Sequence, residues 1–529
     1  MENKKMKIIS IASIIALALT LVTATYAFFV AQTGEGAQTD IKINANTVDT
    51  FTFEAGSALN LSLNQENFAS GKGNQTGTTF AKAMLTANNK TNTATEHYYL
   101  YLNISNNTFT YSIDNNTPEI LLSIKDGSNN EITSVSGLTY KTVTDGKGAS
   151  IKGFDITTKS GLITILNNRE ITTTSTKTEQ WNVTVTFVNY NANQAGNAGK
   201  RFSAKLMIQQ EKILTVLSDV CTSGNNLATC ITTLSNKSEP SIVNIYHHDS
   251  SLANGARDNS YRYAGANPNN FVCFGTTESP CPTDNLYRII GVINDKVKLI
   301  KYDYMTTDEL GTDGDYSQTY KEWGMDSTYK GTYGDGERIG VYYWNYKATG
   351  SATNTWSTSL LNKTNLNTNF INNIGTTWAN KIATVTWKVG GNTWANIGTK
   401  TSSVAYTNEI TNPVTTNTTD NATTYSAKIG LMYVSDYGFA ASPDAWTLTM
   451  SSYNNTTATN NNWMYMGLYE WTISRSADNS DYAFLVSYVG CVNNNLVNNY
   501  YGVRASFNLE SSVSYVSGSG SMSDPIVIN

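Results

Sequence analysis

Apolar positions along this chain of 529 residues fall into three regimes, each predicting a different kind of element. The first is unbroken. No charged residue lies between Lys7 and Glu35, and the apolar core Ile8 to Val22 follows the basic start Met1 to Lys7. About 24 helical residues at ~1.5 Å each reach roughly 36 Å, enough to cross a hydrocarbon core of about 30 Å. Small residues Thr25 and Ala27 then predict a signal peptide cut after Ala27; uncut, segment 1–31 is an N-terminal membrane anchor. The second regime alternates with period two: Ile41 and Ile43, Phe51 and Phe53, Leu59, Leu61 and Leu63, Tyr98 to Ile104, then Trp181, Val183, Val185 and Phe187. Alternation puts every second side chain on one face, which is the signature of half-buried strands. Turn clusters Asp114 to Pro118 and Asp126 to Asn130 punctuate them without a convincing amphipathic helix between. An antiparallel β-sandwich over 32–211 is the economical solution.

The third regime is mixed. Segment 212–260 has scattered apolar residues, then the polar stretches Ser238-Glu239-Pro240 and His247-His248-Asp249, and reads as a linker with one or two helical turns. From Tyr261 the strand pattern resumes: Leu286 to Val292 and Val297 to Ile300 flank Asn294-Asp295, a strong hairpin signal. After Ser359, the residues Leu360, Leu361, Leu366 and Phe370, with Trp378 further on, fit one face of a short helix. Trp463 to Ile528 reads as short strands and turns. Nine of the ten Trp lie after residue 320, so 261–529 forms a second folded unit. The class is mainly β with a minor α component.

Composition then narrows the setting. Only 15% of residues are charged, while Tyr reaches 32 and Asn, Thr and Ser are abundant, which describes an uncharged hydrogen-bonding surface suited to an extracellular, cell-surface or secreted address. A net charge of −5 with no basic cluster after the first seven residues excludes a nucleic-acid footprint. Five Cys are too few for a folding framework. Their spacing predicts local disulfides, Cys221 with Cys230 and Cys273 with Cys281, leaving Cys491; the alternative is five unpaired thiols. No Leu-Pro-x-Thr-Gly sorting motif and no lipid-bearing Cys after the signal are present, so neither wall sorting nor lipoprotein anchoring is expected.

Catalytic chemistry is sparse. Three His, namely His97, His247 and His248, give no Ser-His-Asp or Cys-His arrangement. His97 fits a strand surface, and His247-His248-Asp249 a solvated stretch, so no metal and no cofactor are assigned. Asp308, Glu309, Asp313, Asp315 and Glu322 form the densest acidic segment, but without EF-hand spacing Asp313-Gly314-Asp315 reads as a solvated turn. Most Trp of the second unit are expected in the core, with two or three on the surface. The best candidate for recognition is Ser476 to Tyr501, because Tyr gives contact area at low entropy cost and Asn both donates and accepts. Its candidate ligand-binding residues are Asp478, Asn479, Asp481, Tyr482, Asn493, Asn494, Asn495, Asn498, Asn499 and Tyr500.

Two resemblances add to this reading. The basic start, apolar core and Ala24-Thr25-Tyr26-Ala27-Phe28-Phe29 ahead of a sandwich resemble exported proteins of the TasA/camelysin type, surface and matrix-fibre proteins of Gram-positive bacteria. That likeness implies a stalk or fibre subunit, with Phe28 to Ile43 completing a neighbour's sheet. It also implies the alternative of a secreted hydrolase acting on glycan or peptide, since camelysin relatives have been described as proteases. Tyr287 to Gly291, Trp356-Ser357, Gly430 to Gly438, Trp471 to Arg475 and Gly502 to Leu509 resemble C-type-lectin-like α+β domains of the formylglycine-generating-enzyme-like branch, found in gut bacterial surface proteins. This implies an adhesin-like domain for a cell-envelope or host-surface ligand, protein or glycan. Oxidase chemistry is not expected, because the paired cysteines that hold a cuprous ion reduce here to Cys491. Calcium-dependent sugar binding is not expected either, because Trp344-Asn345-Tyr346 lacks the acid and no Glu-Pro-Asn or Gln-Pro-Asp occurs. The sequence therefore predicts an exported, non-enzymatic binding protein.

Overall fold

The computed structural model describes residues 49–64, 67, 71–88, 93–319, 339–412, 423–454, 456 and 460–529. The apolar run 8–31, the cleavage position Ala27 and the assembly strand Phe28 to Ile43 lie outside the described residues, as do Glu322 and Trp323. Among the described residues no helix is long and apolar enough to cross a membrane. Strand exceeds helix, 39% to 18%, which places the chain in the mainly β class with a minor α component. The chain divides into two compact units, Met1–Ile213 and Leu214–Asn529.

Among its described residues the first unit has ten strands: β1 Thr50–Ala55, β2 Leu59–Ser62, β3 Gln75–Thr86, β4 Ala94–Asn107, β5 Ile120–Asp126, β6 Tyr140–Thr144, β7 Ser150–Asp155, β8 Gly161–Thr173, β9 Thr176–Phe187 and β10 Arg201–Gln209. They form a six-stranded sheet, β1-β3-β9-β5-β7-β6, and a four-stranded sheet, β2-β10-β4-β8, with antiparallel pairing throughout. Alternate residues of both sheets meet in one core: Ala81, Ala83 and Leu85, then Val183 and Val185, against Leu100, Leu102, Phe202 and Leu206. That shared core makes the unit a sandwich. The predicted turns form through their aspartates. Asp114 Oδ1 accepts from the amides of Asn116 and Thr117, and Asp126 Oδ1 from those of Ser128 and Asn130.

A polar chain pins one end of this core. The buried Tyr98 hydroxyl accepts from Trp181 Nε1 at 2.8 Å and donates to Glu179 Oε2 at 2.7 Å. Arg169 and Lys177 complete the Glu179 carboxylate. Replacing Tyr98 with Phe leaves a buried indole N–H without its acceptor, so the exchange is expected to cost about 1–3 kcal/mol in urea unfolding. A loss below about 0.5 kcal/mol would show that the chain contributes little.

The second unit centres on a nine-stranded sheet. Its main path runs Ile429–Gly430, Ser506–Asn508, Lys296–Lys301, Leu286–Ile293, Phe271–Cys273, Ile526–Ile528, Tyr515–Ser517. Ile245–His247 and Tyr261–Tyr263 branch from Leu286–Ile293. Asn294 and Asp295 join the central hairpin with φ of 49° and 59°, the left-handed pair that a two-residue turn needs to follow the strand twist. The strand bulges at Ile289 to Gly291, and a Cβ at Gly291 would collide with the Tyr261 carbonyl of the adjoining strand.

Two sequence expectations change here. The stretch 212–260, expected as a linker, belongs from Leu214 onward to the second unit: helix Leu227–Lys237 buries Leu227, Ile231 and Leu234, and these join Ile245, Tyr287 and Ile289 in one core. Their i, i+4, i+7 spacing is a helical stripe, and Asn226 caps it by accepting from Thr229 N at 2.9 Å. The predicted helix after Ser359 is π-helical over Leu361–Phe370. The five-residue step from Leu361 to Leu366 suits that wider turn and buries both, while Leu360 is exposed. Cys221 is bonded to Cys230 and Cys273 to Cys281, with Cys491 free, a state compatible with an oxidising or extracellular environment. Of the described Trp residues in this unit all but the half-buried Trp394 are buried, fewer surface indoles than expected.

Candidate functional site

The stretch Ser476 to Tyr501 folds as a hairpin with flanking turns. Strands Glu470–Ser476, Tyr482–Val486 and Val492–Leu496 lie side by side, with Gly391–Asn392 beyond the first. Ala483, Phe484, Leu485 and Val486 are buried, whereas the opposite positions Asn495, Asn494 and Asn493 lie on the sheet edge. An all-Asn edge offers amides to solvent instead of an apolar row.

Turn and edge are held firmly. The Asn354 amide donates to the carbonyls of Ser476, Asn479 and Tyr482 at 2.8–2.9 Å, fixing the loop that carries exposed Asp478 and Asn479. Asp478 Oδ2 accepts from Trp394 N at 3.0 Å. The Asp481 carbonyl accepts from Val497 N at 2.8 Å, which sets this loop beside the turn of Asn498 and Asn499. Asn495 Nδ2 donates to the Tyr501 hydroxyl at 2.7 Å, while its Oδ1 accepts from Asn499 Nδ2 at 2.8 Å. Asn495 and Asn499 are thus braced against each other, and Asn493 and Asn498 are exposed.

Aromatic residues from a distant segment complete the face. Tyr500 packs edge-on against Tyr343 at 5.9 Å, and Tyr343 stacks on Tyr346 at 4.5 Å and 24°. Tyr346 is 46% exposed. Sequence reasoning missed Tyr343 and Tyr346. Tyr343 has one local signal, alternation, since its neighbours Tyr342 and Trp344 are wholly buried and point it outward; Tyr346, beyond the strand's end, has none.

Several charged residues lie in the interior of this unit. Arg504 and Glu470 form a bidentate pair at 2.8 and 2.9 Å. Arg288 sits between the rings of Phe271 and Trp463, at 4.2 and 4.7 Å, and burial lowers its pKa to about 9. Asp436 is bound by both Lys298 and Arg262, and Arg262 also meets Asp258 at 2.9 Å. Glu409 accepts from the amides of Val434 and Ser435 and from the Ser474 hydroxyl, and burial raises its pKa despite these donors. Arg475 is buried with Nε donating to Val389 O, while its terminal nitrogens have no hydrogen-bond partner among the described residues.

The remaining candidates are structural. Asp315 is not solvated: its carboxylate is buried, accepts from the amides of Tyr346 and Leu361, and has its pKa raised by burial. His248 is buried too, against the expectation of a solvated stretch, whereas His247 stacks on Tyr261 at 4.2 Å near the surface. His97 lies 3.6 Å from Glu170 on an exposed strand face. Among the described residues no three His, Cys, Asp or Glu side chains are grouped to hold a metal ion. The arrangement offers stacking surfaces and amides rather than a poised nucleophile and base. No family model, no curated protein and no solved structure matches this chain.

Proposed function

We propose that this is an exported, non-enzymatic surface or matrix protein whose second unit, C-type-lectin-like in type, binds a glycan of the cell envelope or host surface through the Tyr–Asn face. The first unit, of TasA/camelysin type, serves as the stalk that carries it. The observation behind this reading is the half-buried Tyr343 stacked on the exposed Tyr346 and packed against Tyr500, which follows directly on the Asn-rich segment 493–499. Flat rings cover the apolar C–H faces of sugars, and braced amides donate to and accept from hydroxyls without first losing much rotamer freedom. The two disulfides suit the same setting.

The test is binding of the purified exported chain to a glycan array and to cell-wall polysaccharide. Tyr346→Ala with Tyr500→Ala is expected to weaken binding at least tenfold, about 1.4 kcal/mol, while leaving the unfolding midpoint nearly unchanged. Undiminished binding by that variant, or glycan or peptide turnover by the wild type, defeats the proposal.

A further inference from the structure

Lys298 and Asp436 meet in the interior, with Nζ 2.5 Å from Oδ2 and side chains only 5% and 3% accessible. Lys298 belongs to the central strand Lys296–Lys301, and Asp436 to the first turn of helix Val434–Phe439, where Oδ2 also accepts from Tyr433 N at 3.0 Å. The rings of Tyr433 and Trp387 cover the amine at 4.6 and 5.3 Å. Arg262 holds the other oxygen, Oδ1, at 3.2 Å. A cavity of about 220 Å³ adjoins the pair.

Removing an ammonium ion from water costs several kcal/mol, so an aromatic-walled site disfavours the charged form of the Lys298 amine. Burial lowers the proton affinity of Lys298 accordingly. An amine and a carboxyl group held at contact distance have a very high effective concentration for each other. We propose that Lys298 and Asp436 condense after folding into an intramolecular isopeptide bond.

The step balances without an oxidant, reductant or co-reactant. One proton passes from the Lys298 ammonium to Asp436 Oδ2, leaving a neutral amine and a neutral acid. The Nζ lone pair attacks Cγ, and negative charge developing on Oδ1 is met by the Arg262 guanidinium already seated there. A second Nζ proton moves to Oδ2, the Cγ–Oδ2 bond breaks, and Oδ2 departs as water into the adjoining cavity. The Nζ–Cγ amide keeps the third proton. The product ties a central strand to a helix across 138 positions of sequence.

Arg262 forms a second ion pair with Asp436, so the competing outcome is a plain, uncondensed charge cluster. Mass spectrometry of the full exported chain separates the two outcomes. The expected mass, with disulfides reduced and the N-terminus assigned, is that of the sequence less one water, and a protease digest yields one branched peptide containing both Lys298 and Asp436. Lys298→Arg keeps the charge but cannot form this amide, and its mass is expected to be that of its full sequence. Wild-type protein at full mass, with the two residues in separate linear peptides, overturns the proposal whether or not the variant folds.

Discussion

Arg504→Met is expected to destabilise the protein by about 3–5 kcal/mol, the largest effect of any single exchange proposed, because it strands a buried carboxylate. Arg504 is wholly inaccessible, and Glu470 nearly so. The guanidinium donates to both Glu470 oxygens and to the Met464 carbonyl at 2.6 Å. Burial raises the Glu470 pKa, and the charge of Arg504 pulls against that rise. Remove the guanidinium and the second force vanishes, so Glu470 must take a proton or be exposed. The double exchange Arg504→Met with Glu470→Leu removes both buried charges and is expected to recover part of the loss. Urea unfolding of the wild type and the three variants checks the cycle. A loss below about 1 kcal/mol for Arg504→Met, or no recovery in the double variant, contradicts the argument.

The Arg504–Glu470 pair also shows where sequence reasoning reaches its limit. Alternation made the sandwich legible: Leu59, Leu61, Leu100, Leu102, Ile104, Val183, Val185 and Phe187, two apart along their strands, all enter one core, although Tyr101 and Thr186 between them are buried too. Asn294-Asp295 was legible for the same local reason, since two residues set that turn. Nothing local says that Arg504 meets Glu470 across 34 positions, or that Lys298 meets Asp436 across 138. A charged residue in a polar, Asn-rich neighbourhood reads as surface, and only the fold reveals its partner. The candidate face divides along the same line. Asn493 to Tyr500 stood out because Asn and Tyr crowd together in sequence, whereas Tyr343 and Tyr346 reach them through pairing of Gly340–Tyr343 with Tyr500–Tyr501. The stretch 214–260 was misread because its helical stripe is short and its polar end, His247-His248-Asp249, hides one buried histidine.

That histidine is expected to make the second unit sensitive to mild acid. His248 Nδ1 accepts from Ala256 N at 3.0 Å, which leaves the ring hydrogen on Nε2, without a partner, against Phe439 and Trp446. Burial, helped by the charge of Arg262 and opposed by that of Asp258, lowers its pKa from 6.5 to about 3. Between those values the unfolded chain binds the proton and the folded chain does not, so stability rises with pH across the window. The contribution is complete above 6.5 and is lost progressively as pH falls, amounting to about 2 kcal/mol by pH 5 and ~4 kcal/mol near pH 3. Glu409 and Glu470 act in the opposite sense, since burial raises their pKa and protonation favours the folded state. The diagnostic quantity is therefore a difference between proteins rather than one protein's pH profile. In His248→Asn the amide oxygen can take the Ala256 N–H while the titrating ring is gone, so its unfolding free energy is expected to fall about 2 kcal/mol less than wild type between pH 7 and pH 5. Parallel profiles for the two proteins would mean that His248 is charged, or reached by solvent, in the folded state.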